Sequence, residues 1–213
     1  MVTVKICGIT NAVDLEAAIE AGADSLGFIV GTPSSPRNLS VHSARNLINK
    51  VPHGVNSVVV TVLNNADSLK QIFAELEPDY LQIHGEVDQT LSQIGEIKDC
   101  AIVAVNGEAD NASSTAAELS RIFHFILLDT GSEDGSGGTG RVHDWHISAK
   151  IRDMIHPANL ILAGGLTPRN VGEAVRMVRP FGVDVSTGVE KKPGLKDPEK
   201  MREFVARAKE EET

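Results

Sequence analysis

The sequence predicts a (β/α)8 barrel, and three observations carry that expectation. Short runs rich in β-branched residues alternate with amphipathic stretches from end to end, the pattern of βα units on a parallel sheet. Eight such pairs follow one another without a break. No GxGxxG follows the first run, which disfavours the structural rival, an open doubly wound sheet. At 213 residues the chain suits one such barrel, so 1–213 is expected to be a single domain.

The strands are expected at VTVKIC (2–7), DSLGFIV (24–30), VNSVVVTVL (55–63) and DYLQIH (79–84), then at CAIVAV (100–105), HFILLD (124–129), NLILA (159–163) and VDVST (183–187). Helical stretches follow each, from AVDLEAAIEAG (12–22) to PEKMREFVARAKEE (198–211). Successive side chains on a strand point to opposite faces. In the first strand Val2, Val4 and Ile6 share one face, and Thr3, Lys5 and Cys7 the other. Leu81 and Ile83 likewise oppose Tyr80, Gln82 and His84, while Val183 and Val185 oppose Asp184 and Ser186. In a barrel the apolar face packs outward on helices. Cys7, His84, Asp129 and Asp184 then converge at the carboxyl ends of the strands, where such barrels keep their active sites.

Composition narrows the function. A net charge of −9 argues against nucleic-acid partners, because that binding rests on Lys and Arg neutralising phosphates. An anionic ligand must therefore meet a local concentration of donors. The start of the chain shows no secretory pattern and no apolar run approaches the ~20 residues that span a bilayer, so a cytoplasmic, membrane-free protein is expected. The two cysteines, Cys7 and Cys100, have neither metal-ligand nor CxxC spacing.

Several motifs point to a small phosphorylated ligand. In AGGLTPRN (163–170), Gly164 and Gly165 permit close backbone approach, and Thr167-Pro168 read as helix cap and first helical residue. STGVE (186–190) adds Ser186 and Gly188 at the neighbouring loop, and loops seven and eight are the usual phosphate site of this fold. Either loop alone is also explained by ordinary turns. Arg37 lies in GTPSSPRNLS (31–40); an arginine in a loop is commonly a solvated surface group, but its fork also matches a carboxylate. Asp129 is either a turn former or a proton donor with a raised pKa, followed by a glycine-rich loop able to close over a ligand or simply mobile. His84 lacks partners at metal spacing and reads as a polar or substrate contact.

Taken together, KICGIT, SPR, LQIHGE, LLDT with GGTG, LILAGGLTPRNV and RPFGVDVSTGVEKKPGLKDPEK resemble the phosphoribosylanthranilate isomerase family along nearly the whole chain. The resemblance implies an Amadori rearrangement in tryptophan biosynthesis, with no metal or organic cofactor, by a monomer or homodimer. It also implies Cys7 as general base, Asp129 as general acid and Arg37 as the holder of the anthranilate carboxylate. Asp184 falls near the sugar, and Gly164, Gly165, Ser186 and Gly188 fall at the phosphate. Lys5, one inward step below Cys7, is the expected cation favouring its thiolate. Two departures stand out: strand three reads VVVTVLN without a phenylalanine, and strand five reads IVAVN without a lysine, Val103 being the expected replacement. A different sugar-phosphate barrel or a non-catalytic phosphate binder remains open from sequence; paired aspartates or clustered histidines with a metal would favour the former, and loss of the proton-transfer residues the latter.

Overall fold

Eight parallel strands close on themselves. The computed structural model describes residues 1–62, 65–85, 94–130 and 143–210. Its barrel strands are β1 (Thr3–Ile6), β2 (Ser25–Val30), β3 (Asn56–Val62), β4 (Tyr80–His84), β5 (Ala101–Asn106), β6 (Phe125–Asp129), β7 (Asn159–Leu162) and β8 (Gly182–Val185). Each pairs in parallel with its sequence neighbour, and β1 completes the ring by pairing with both β2 and β8. The helices are α1 (Ala12–Glu20), α2 (Val41–Ile48), α3 (Ala66–Leu76), α4 (Ala112–Leu119), α5 (Trp145–Ile155), α6 (Val171–Val178) and α7 (Pro198–Glu210). Between β4 and β5 the described residues hold a 3-10 helix, Gly95–Cys100, and the rest of the stretch where a helix is expected lies outside the described residues. A short antiparallel hairpin, Glu190–Lys192 with Leu195–Lys196, precedes α7.

Helix starts are set by short polar side chains that satisfy orphan backbone donors. Asn11, Ser40 and Asn65 accept from the backbone N–H three residues on, and Asp144 from that of His146. The expected start at Thr167-Pro168 differs. There the Asn170 side chain accepts from the Thr167 N–H at 2.7 Å, and α6 runs from Val171.

The alternation read from sequence holds. Val2, Val4, Ile6, Leu81, Ile83, Val183 and Val185 lie in the large layer between strands and helices. The barrel interior is a separate, smaller apolar cluster that includes Cys7, Val58, Val60, Ile102 and Ala104. Each fully buried side chain of this kind contributes roughly 1.5–3 kcal/mol relative to exposure. Val103 belongs to the outer layer, so it does not replace an inward lysine. The period of two puts Ile102 and Ala104 inside, and the interior of β5 is apolar up to Asn106 at the cavity.

Candidate active site

At the carboxyl ends of the strands a cavity of about 1260 Å³ opens, lined among others by Cys7, Arg37, His84, Asp129 and Asp184. Gly164, Gly165, Ser186 and Gly188 line it too, so every residue expected at the site shares one cavity.

Cys7 follows the last residue of β1, with its N–H on the Val185 carbonyl at 2.8 Å and the chain turning at Gly8, φ +77°. Its thiol is 5% exposed and lies over Gly27 of β2. A methyl at Gly27 would come within 2.8 Å of Sγ, so the thiol fits only because that inward position is glycine. Gly27 was not legible as a site residue from its surroundings in sequence. Burial pushes the Cys7 thiol up, and the attraction of Lys5 does not offset this, because Asp184 works against it. The expected lowering by Lys5 is thus outweighed.

Parallel pairing sets Lys5 beside Asp184 in register, and their side chains form a buried ion pair at 2.8 Å in the barrel interior. Burial pushes Lys5 down, but Asp184 and the Cys7 sulfur more than compensate and hold it charged. Asp129, at the end of β6, is pushed up to about 7 by burial and by the charge of Asp184, against the Thr130 N–H and Lys5. A carboxyl of that affinity is able to give up a proton near neutral pH. His84 sits with Nε2 2.7 Å from Gln82 Nε2. Burial and then Lys5 lower its pKa to about 4, so the imidazole is neutral and accepts the amide proton. Among the described residues no three or more His, Cys, Asp or Glu side chains are grouped to hold a metal ion.

Two loops form the opposite wall. Gly164 and Gly165 take φ of +80° and +64°, which side chains disfavour. Gly188 sits against the Leu166 carbonyl, so the loops after β7 and β8 interlock where a side chain would overlap backbone. Stacked backbone of this kind exposes N–H groups without side-chain cover and suits an anion. Thr130, buried with its hydroxyl unpartnered, stands over Gly164 as a further polar group at the cavity. The glycine-rich segment after Thr130 lies outside the described residues.

Arg37 is 6% exposed and not a free surface group. Its Nε and Nη2 donate to the two carboxylate oxygens of Glu190, each at 2.7 Å, and Nη2 also to Thr187 at 3.2 Å. Of the two readings of Arg37 from sequence, the solvated surface group does not fit this burial, and one edge of the fork is already engaged by Glu190. Glu190 and Lys196, outside the cavity wall, were missed because Glu190 meets Arg37, 153 positions away, only on folding.

The two proton-transfer groups predict an unusual pH profile. With Asp129 as acid and Cys7 as base, the roles the resemblance implies, activity would need Asp129 protonated and Cys7 ionised, whereas the thiol holds its proton more tightly than the carboxyl. The active microstate is then a minority at every pH. Its population climbs as pH rises toward about 7, is flat above that, and falls again only once the thiol titrates. The rising limb of kcat/KM therefore belongs to Asp129, and Asp184→Asn is expected to move it to lower pH; a limb unmoved by that change would contradict the assignment.

The family model for N-(5'phosphoribosyl)anthranilate (PRA) isomerase matches residues 4–207. The N-(5'-phosphoribosyl)anthranilate isomerase of Methanothrix thermoacetophila is 44% identical, over 98% of this chain and 99% of that one. The crystal structure of phosphoribosyl anthranilate isomerase from Thermotoga maritima superposes with a TM-score of 0.88 at 36% identity, covering 99% of this chain and all of that one. A structure of the enzyme in complex with reduced 1-(o-carboxyphenylamino)-1-deoxyribulose 5-phosphate gives 0.84 at 35% identity, with 99% and 100% covered. With the match running through both ends of the barrel and the residues above in one cavity, the chain belongs to the N-(5'-phosphoribosyl)anthranilate isomerase family.

Proposed function

We propose that this chain converts N-(5-phosphoribosyl)anthranilate into 1-(2-carboxyphenylamino)-1-deoxyribulose 5-phosphate, with Asp129 as acid and Cys7 as base. The observation that carries the reading is an acid and a thiol, on β6 and at the end of β1, facing one cavity whose far wall is the glycine loop pair. Asp129 protonates the furanose ring oxygen, and the C1′–O bond opens to a protonated imine. Cys7 takes the C2′ proton, the electron pair moves to the imine nitrogen, and the resulting enol tautomerises to the aminoketone. One proton is given and one taken, so the reaction is an isomerisation. The positive imine lowers the cost of removing the C2′ proton, which lets a sparsely ionised thiol serve.

The ligand is placed with its phosphate on the loops after β7 and β8, its sugar near Asp184, and its carboxylate toward Arg37. His84, neutral and tied to Gln82, offers a polar contact without charge. The chain acts in the cytoplasm of its cell as a monomer or homodimer, an extension supported by the family and by the absence, among the described residues, of any helix long and apolar enough to cross a membrane. Phosphoribosylanthranilate generated in situ is fluorescent, and pure folded protein is expected to abolish that fluorescence rapidly. Decay at the uncatalysed rate would overturn the function.

A further inference from the structure

We propose that Glu190 is a positioning residue for recognition of the ligand carboxylate: it grips one edge of the Arg37 guanidinium from behind and turns the other edge to the cavity. The inference rests on the proposed function, which supplies a ligand with an aromatic carboxylate. Arg37 lines the cavity and Glu190 does not. The bidentate fork, 2.7 Å on each arm, uses Nε and Nη2, so the side of the guanidinium bearing Nη1 is the one left for a ligand. A flexible arginine loses much rotamer entropy on binding, and a partner that holds it beforehand removes that cost from the ligand.

A carboxylate behind Arg37 would by itself cancel the charge that attracts the ligand. Lys196 prevents this. Its Nζ lies 2.9 Å from Glu190 Oε1 and 3.2 Å from the Ser186 carbonyl, at 1% residue exposure. Arg37, Lys196 and Glu190 together carry one net positive charge. Hydrogen bonds from both cations hold the Glu190 carboxyl below its ordinary range although burial pushes it up.

The hairpin that carries Glu190 and Lys196 is itself anchored. Its turn at Gly194, φ +78°, donates to Glu190 Oε1 at 3.3 Å and accepts from Thr10 Oγ1 at 2.7 Å. The Lys196 N–H donates to Asp14 Oδ2 at 2.9 Å. Residues of the closing block GVEKKPGLK thereby act on a loop more than 150 positions away, a role the phosphate contacts leave unexplained.

The test measures dissociation constants by calorimetry for two ligands, reduced 1-(o-carboxyphenylamino)-1-deoxyribulose 5-phosphate and its phenylamino counterpart without the carboxylate, on wild type, Arg37→Ala and Glu190→Gln. Wild type is expected to prefer the carboxylate ligand by about 10- to 100-fold, the range of a charge-assisted hydrogen bond. Arg37→Ala removes the preference. Glu190→Gln lowers it by about tenfold while the ligand without carboxylate changes by less than about threefold, and in turnover KM rises with kcat nearly kept. A Glu190→Gln protein that keeps the full preference, or weakens both ligands alike, overturns the proposal. Arg37→Ala retaining the preference would instead overturn the placement of the ligand carboxylate in the proposed function. If Glu190→Gln fails to fold, Glu190→Asp, one methylene short of the fork, is judged by the same ratio.

Discussion

Asp129→Asn and Cys7→Ala are each expected to lower kcat by roughly 10²- to 10⁴-fold, the contribution of a positioned acid or base, while the binding of a reduced product analogue stays close to wild type. Asparagine keeps the shape of Asp129 and its acceptor for the Thr130 N–H, but has no proton to give the ring oxygen. Alanine at position 7 leaves a small void over Gly27 and no base. Because the two groups act at opposite ends of one rearrangement, the double variant should be little slower than the worse single one. Steady-state turnover and calorimetry separate the two effects. Near-normal kcat in either variant would remove that residue from proton transfer, and an equal loss in analogue binding would make its role one of shape.

Lys5→Met is expected to destabilise the fold by about 3–5 kcal/mol, the usual cost of stranding one member of a buried ion pair. Asp184 would be left inside the barrel without its 2.8 Å partner, in an interior otherwise lined by side chains such as Val58, Ile102 and Leu127. Replacing both charges, Lys5→Met with Asp184→Asn, should recover most of the loss, since a neutral pair has far less to lose by burial. Urea midpoints of the four proteins give the coupling directly. Strictly additive losses would show that the two side chains do not depend on one another. The same pair also sets the site. Lys5 alone would favour the thiolate, but Asp184 cancels much of that help and at the same time raises Asp129. The pair thus acts differently at the two groups: at Cys7 burial, not the pair, holds the proton on, whereas at Asp129 Asp184 outweighs Lys5 and adds to the effect of burial.

Local pattern was enough for the barrel. Alternation with a period of two placed Val4 and Ile6 against helices and Lys5 and Cys7 inside, and the structure keeps that division. Strand five shows the limit of applying a family expectation without checking parity. Val103 in place of an inward lysine implies an inward side chain, whereas the alternation along AIVAVN sends it to the helices and brings Ala104 inside. That α6 runs from Val171, after a turn over 168–170 in which the Asn170 side chain accepts from the Thr167 N–H, is a matter of backbone geometry that composition does not describe.

By itself the sequence determined the order of strands and helices, which faces are buried, and the candidate residues at the strand ends, because these follow from periodicity and from the exits of a closed parallel sheet. Only the tertiary structure decided how those residues are charged and held. Thiol burial over Gly27, the elevation of Asp129 by Asp184, and the clamp of Glu190 on Arg37 are contacts between segments far apart in the chain. The proton affinity of a group depends on its solvation and on charges within a few ångströms. Neither distance nor burial is written along the chain, so the sequence could name Cys7 and Arg37 but could not show that one is held protonated and the other already half engaged.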